Sequence, residues 1–175
     1  MNIEFKNIKK SRQLAMRGVL IALAMILSYA ESLIPFDFIV PGAKLGLANI
    51  VTIFAILYMS LSDALLIGSL RVILTTILFG NVVMMIYSLA GAVTSILLMF
   101  LCSRLKKFGI LGISVVGAVC HNAAQCIAAS IMIQNKNILG YLPLLVIFGV
   151  LSGCLTGTIS SQVINRLKNI SYFSE

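Results

Sequence analysis

The sequence predicts an all-α integral membrane protein, a bundle of six transmembrane helices. Three observations predict it. Mean hydropathy is +1.08, with 60% hydrophobic and 10% charged residues. A water-soluble fold of 175 residues cannot bury that much apolar surface, because surface-to-volume scaling leaves too much of it exposed. The apolar residues fall in long runs of Leu, Ile, Val, Ala and Met, which read as helices and not as the short alternating segments that build barrels. Most of the 13 Lys and Arg residues stand at the ends of those runs, where membrane proteins keep them.

The elements follow in order. Residues 1–13 carry Lys6, Lys9, Lys10 and Arg12 and are too polar to span. The apolar segment behind them is too long for the core of a cleaved signal. They are expected to form a basic cytoplasmic segment at the membrane surface, setting topology or meeting lipid or a partner. The candidate spans are Leu14–Ile34, Leu45–Leu61, Asp63–Phe79, Val82–Cys102, Ile110–Ile133 and Ile138–Val163. The second and third are short and separated by little more than Ser62, either because they line a cavity or because their true bounds lie elsewhere. Residues 14–166 make one membrane domain, and 167–175 a cytoplasmic tail. Between the first two spans, Pro35 ends a helix and Pro41-Gly42 signals a turn. Phe36, Phe38, Ile39 and Val40 make that loop apolar. It reads either as an interfacial anchor or as a lid over an outward-facing pocket, with Phe36 and Phe38 covering the site.

The positive-inside rule orients the chain. With the N-terminus inside, the cytoplasmic ends hold Lys6, Lys9, Lys10, Arg12, Arg17, Arg104, Lys106, Lys107, Arg166 and Lys168, ten of the 13 cations. Lys44 and Lys136 fall outside, and Arg71 falls within the membrane. Six spans put both termini in the cytoplasm of a multi-pass cell-membrane protein. This placement also argues against nucleic acid as the partner of a +8 chain.

Polar groups at membrane depth are costly and are candidate functional residues. Arg71 is foremost, since a guanidinium cannot lose its proton and needs a partner. It stands eight residues past Asp63, on the order of 12 Å along the third span. Glu31 near the end of the first span is its obvious counter-ion, though Glu31 could equally pair with Lys44. Asn49 opens the second span, and Tyr87 lies early in the fourth. In the fifth, His121, Asn122 and Gln125 share one side through i,i+3 and i,i+4 spacing. Gly68, Arg71 and Thr75 share a face of the third. These groups occupy the middle and outer membrane, the layout of a pocket opening outward. Interhelical hydrogen bonding that holds a bundle together is the alternative for each.

Small-residue stripes run along the first span (Ala15, Gly18, Ala22) and the sixth (Gly149, Ser152, Gly153, Thr156, Gly157, Ser160). Each allows close backbone approach, either within the bundle or to another membrane protein. Cys102, Cys120, Cys126 and Cys154 lie in apolar runs with no C-x-x-C and read as small buried hydrophobes. Cys120 and His121 are adjacent and point to different helix faces, so neither a metal nor a cofactor is expected.

The stretch from Pro41 to Asn49, with Ser69-Leu-Arg71-Val, Phe79-Gly80, Ser88-Leu-Ala-Gly91 and Gly117-Ala-Val-Cys-His-Asn122 followed by Gln125, resembles one family. It is the membrane family called heptaprenyl diphosphate synthase component I, or Gx transporter. That family is similar to the substrate-binding S components of energy-coupling factor (ECF) vitamin transporters. The resemblance implies about six helices, a loop covering the site, and small residues on the first helix that meet a T component. Gly18 and Ala22 match that docking motif in part, since the usual alanine pair is incomplete.

The enzyme in the family's label does not fit the residues. Prenyl diphosphate synthases hold magnesium with clustered aspartates. Here Glu4, Glu31, Asp37, Asp63 and Glu175 are the only acids, and they are scattered. No Walker motif appears. The expected function is non-enzymatic: capture of a small anionic or amphipathic molecule for an ATP-driven importer, with a T component and ATPase subunits as partners. Arg71 and Lys44 would supply charge, and Asn49, His121, Asn122 and Gln125 hydrogen bonds. Glu31 and Tyr87 complete the expected site. A noncatalytic accessory of polyprenyl diphosphate or quinone synthesis is the alternative.

Overall fold

The computed structural model describes residues 10–33, 45–105 and 107–168. They form helices α1 (Lys10–Ser32), α2 (Asn49–Tyr58), α3 (Leu61–Phe79), α4 (Val82–Arg104), α5 (Ile110–Met132) and α6 (Leu142–Lys168). A short 3-10 helix, Lys136–Tyr141, precedes α6. Five of these helices are long and apolar enough to cross a membrane, which makes the chain a multi-pass membrane protein. The expected lid residues Phe36 and Phe38, and Lys44, lie outside the described residues.

The second expected span is corrected. It is not a membrane-length helix over Leu45–Leu61 but a ten-residue helix entered through a turn. Ten residues rise about 15 Å, half a bilayer core. A helix that short ends inside hydrocarbon unless protein covers its terminal backbone groups. Accordingly α2 is buried on nearly every side, with Val51, Ile53, Phe54, Ile56 and Tyr58 all in the core. Its apolar composition reflects burial in protein, which sequence hydropathy does not distinguish from burial in lipid. Gly46 turns the chain into it at φ +73, a left-handed conformation that suits glycine. α1 starts at Lys10 and α6 continues to Lys168, so both outer helices extend further toward the basic end than hydropathy suggested.

Local sequence sets the other boundaries. Ser60 and Asp63 form a capping box at the start of α3: the Ser60 hydroxyl accepts from the Asp63 backbone N–H (3.1 Å), and the Asp63 carboxylate accepts from the Ser60 N–H (3.3 Å). Asn81 caps α4, its side-chain oxygen accepting from Met84 N–H at 2.8 Å. Pro143 falls in the first turn of α6, where a missing N–H leaves no bond unmade.

α3, α4, α5 and α6 pack in sequence, each antiparallel to the last, with α2 in contact with all four. The α5–α6 seam uses the small-residue stripe of the sixth span. A Cβ at Gly149 would stand 3.0 Å from Val119 Cα, and one at Gly153 would stand 2.6 Å from Val115 Cα. Ser114 and Thr156 share a hydrogen bond of 3.0 Å across the seam. The stripe on α1 differs, because Gly18 and Ala22 are exposed and a Cβ at Gly18 meets nothing within 4 Å.

α1 is peripheral, with Leu20, Ala24 and Glu31 as its buried residues. Polar contacts tie it to the bundle near both ends. Arg17 pairs with Asp63 at 2.6 Å near its start. Arg71 donates to Ser28 Oγ at 3.0 Å, and Glu31 accepts from Gly46 N–H at 2.6 Å near its end.

Candidate functional site

The ends of α1 and α3, the starts of α2 and α4, and the middle of α5 enclose a cavity of about 250 Å³. It lies in the half of the bundle away from the Arg17–Asp63 pair. The basic residues Lys10, Arg12, Arg104, Lys107 and Arg166 stand at the helix ends opposite it. This follows from the antiparallel order of α3 to α6 and the parallel run of α1 and α3.

Arg71 comes to the wall because it lies mid-α3 on the face turned toward α1. Among the described residues its hydrogen bond is to the neutral Ser28 hydroxyl, and its Nε has no partner. Asp63, the other acid of α3, is engaged by the capping box and by Arg17. Glu31 acts on Arg71 electrostatically. Among the described residues, however, the two make no ion pair within 4.0 Å. Glu31 lines the cavity and directs a carboxylate oxygen to Gly46 N–H, fixing the turn into α2. A carboxylate–amide bond of this kind is charge-assisted and strong.

Asn49, the first residue of α2, also lines the cavity, so the partially positive end of that helix faces it. From α5 come His121 and Asn122. Asn122 also ties α5 to α6, its side-chain N–H donating to Leu145 O at 3.0 Å. His121 sits over Gly91 of α4, where a Cβ would meet its backbone oxygen at 2.9 Å and its ring at 3.2 Å. That close approach brings α4 and α5 together behind the cavity.

Among the described residues expected at the site, the cavity therefore gathers Arg71, Glu31, Asn49, His121 and Asn122. It does not include Tyr87 or Gln125. Ser88 lines it in place of Tyr87, since adjacent helical residues point about 100° apart. Gln125 is one turn beyond His121, buried against the Gly91 surface. Sequence reasoning passed over Ser28, Ser32 and Thr76. Small hydroxyl residues recur throughout membrane helices as packing and backbone-bonding groups, and nothing in their spacing sets these three apart. Thr75 had a signal, since it shares the Arg71 face of α3 at i,i+4.

Among the described residues no three His, Cys, Asp or Glu side chains come together as a metal site. What the cavity offers is a permanent cation, an acid, an imidazole and several hydroxyls and amides around one small chamber.

The sequence pattern of the family described as heptaprenyl diphosphate synthase component I matches residues 20–163 of the chain. No curated protein matches it, and no solved structure does.

Proposed function

We propose that this chain, which belongs to the heptaprenyl diphosphate synthase component I family, is a noncatalytic substrate-capturing membrane subunit. It binds a small anionic or amphipathic molecule in the cavity beside Arg71 and hands it to partner subunits that supply energy, as the S component of an ECF-type importer does. One observation carries this reading. Arg71 is a cation that stays charged in the membrane, faces a cavity of about 250 Å³, and has a neutral hydroxyl as its hydrogen-bond partner among the described residues. A guanidinium held that way is poised for a carboxylate or phosphate.

Charge distribution supports the orientation. The cation-rich helix ends face the cytoplasm by the positive-inside rule, so both termini are cytoplasmic and the cavity opens to the outside of the cell membrane. Counting α2 with its entry turn as a partial crossing gives the six-segment bundle of an S component. The exposed Gly18–Ala22 face of α1 suits close approach by a T component.

The family description favours a second reading, an accessory that holds a prenyl lipid for a soluble synthase. Gentle purification followed by native mass spectrometry separates the two. Co-purification of a T component with ATPases, and a retained small molecule, is the expected result. A soluble prenyltransferase bound in their place, with a prenyl lipid retained, supports the accessory role and rejects transport.

A further inference from the structure

The cavity wall holds three buried polar atoms with no hydrogen-bond partner among the described residues: Arg71 Nε, Thr75 Oγ1 and Ser88 Oγ. Leaving such groups unpaired is costly, so a native structure that keeps three around one chamber calls for an explanation. Arg71 and Thr75 share a face of α3 by i,i+4 spacing, and Ser88 reaches the same chamber from α4.

The arrangement at Arg71 is specific. Ser28 takes the Nη1 nitrogen, which lies on the Cδ side of the guanidinium. The edge left over is Nε with Nη2, the side-on fork whose two parallel N–H groups match the two oxygens of a carboxylate. The two hydroxyls can each donate or accept, which suits a neutral polar substituent on the same ligand.

Charge and size narrow the class. The described wall carries one permanent cation, Arg71, and one acid, Glu31, a balance that suits a singly charged ligand. A diphosphate needs clustered cations or a divalent metal, and no metal-holding group is found among the described residues. A cavity of about 250 Å³ is slightly smaller than the roughly 300–1,000 Å³ pockets that hold drug-sized ligands.

We infer that the site takes a compact organic monocarboxylate bearing a hydroxyl or carbonyl group. The acid group sits on the Nε/Nη2 edge of Arg71, and the second polar group is read by Thr75 and Ser88. This rests on the capture reading above and narrows it, setting aside a prenyl diphosphate as the cavity ligand.

The test uses the full chain in lipid nanodiscs. Propionate against lactate, and benzoate against hydroxybenzoate, are titrated beside farnesyl diphosphate and inorganic diphosphate, with binding read by native mass spectrometry. In at least one pair the hydroxylated acid binds at least fivefold more tightly. Ser88→Ala and Thr75→Val reduce that preference. Both variants melt at or above the ligand-free wild type, because an unpaired buried hydroxyl contributes nothing to folding. Arg71→Lys keeps the charge but lacks the fork, and weakens every carboxylate at least tenfold. No saturable carboxylate binding, or a diphosphate bound more tightly than the acids through Arg71, overturns the ligand class; the latter leaves capture by Arg71 standing. A hydroxyl preference that survives both hydroxyl variants overturns the role of Thr75 and Ser88. Unchanged binding of all probes by Arg71→Ala overturns the capture reading itself.

Discussion

Replacing Gly153 by alanine adds a Cβ 2.6 Å from Val115 Cα and 3.2 Å from Ser114 O. Both are backbone atoms of α5, so neither can swing aside. Reaching ordinary carbon–carbon contact near 3.5 Å requires α6 to move away by roughly 1 Å. That shift stretches the Ser114–Thr156 hydrogen bond, now 3.0 Å, beyond hydrogen-bonding range. Overpacking costs about 1–3 kcal/mol, and the lost interhelical bond about 0.6 kcal/mol. For a chain of this size the sum lowers the melting temperature by roughly 3–14 °C. A thiol-reactive dye can follow unfolding in detergent, since Cys102, Cys120, Cys126 and Cys154 are free and buried or half-buried. Gly18→Ala is the internal control: nothing lies within 4 Å of its Cβ, and helix propensity favours alanine by about 1 kcal/mol. Its melting temperature should hold or rise. If Gly153→Ala melts with the wild type, or Gly18→Ala falls as far, the packing argument fails. The same seam carries the Asn122–Leu145 bond, so Gly153→Ala should also weaken ligand binding by disturbing the α5 wall.

Other outcomes follow from the polar contacts. Arg71→Met should leave thermal stability within about 1 kcal/mol of wild type, because burying a guanidinium costs several kcal/mol that its bond to Ser28 and the field of Glu31 roughly offset; a loss of about 3–5 kcal/mol would mark Arg71 as a structural brace. Asp63→Ala removes a capping box and the Arg17 ion pair together and should cost about 1–3 kcal/mol; Arg17→Ala, losing only the pair, should cost less in the same melting assay. Glu31→Ala removes the carboxylate that holds Gly46 N–H at 2.6 Å, worth about 1.5–3 kcal/mol. Faster amide exchange at Gly46 and at the first turn of α2 would report it, and unchanged protection there would contradict the assigned role.

Much of the bundle was legible because hydrocarbon-length apolar runs admit few interpretations. The third and fourth spans match α3 and α4 to within two residues at each end. α2 was not legible as a short core helix. Its residues are as apolar as a lipid-facing span, and the turn that leads into it, at Gly46 held by Glu31, is a contact across 15 residues of sequence. The two small-residue stripes looked alike in sequence, yet one is buried against α5 and the other is open. Which stripe meets which helix depends on packing order, not on composition.

The candidate site divides along the same line. Residues costly in a membrane, such as Arg71, Glu31 and Asn49, could be singled out by chemistry alone. Tyr87 and Ser88 point about 100° apart on one helix, and which of them faces the cavity depends on how α4 packs, not on its own sequence. Ser28 was invisible as a partner for Arg71, since it lies 43 residues away and one serine in an apolar helix carries no signal.

The most direct measurement compares wild type and Arg71→Ala, both purified in nanodiscs from the same cells and both confirmed folded by thermal melting, for a small organic anion carried through purification. The account predicts an adduct on the wild-type mass that is missing from the variant. An adduct of equal mass and occupancy on both proteins would contradict it.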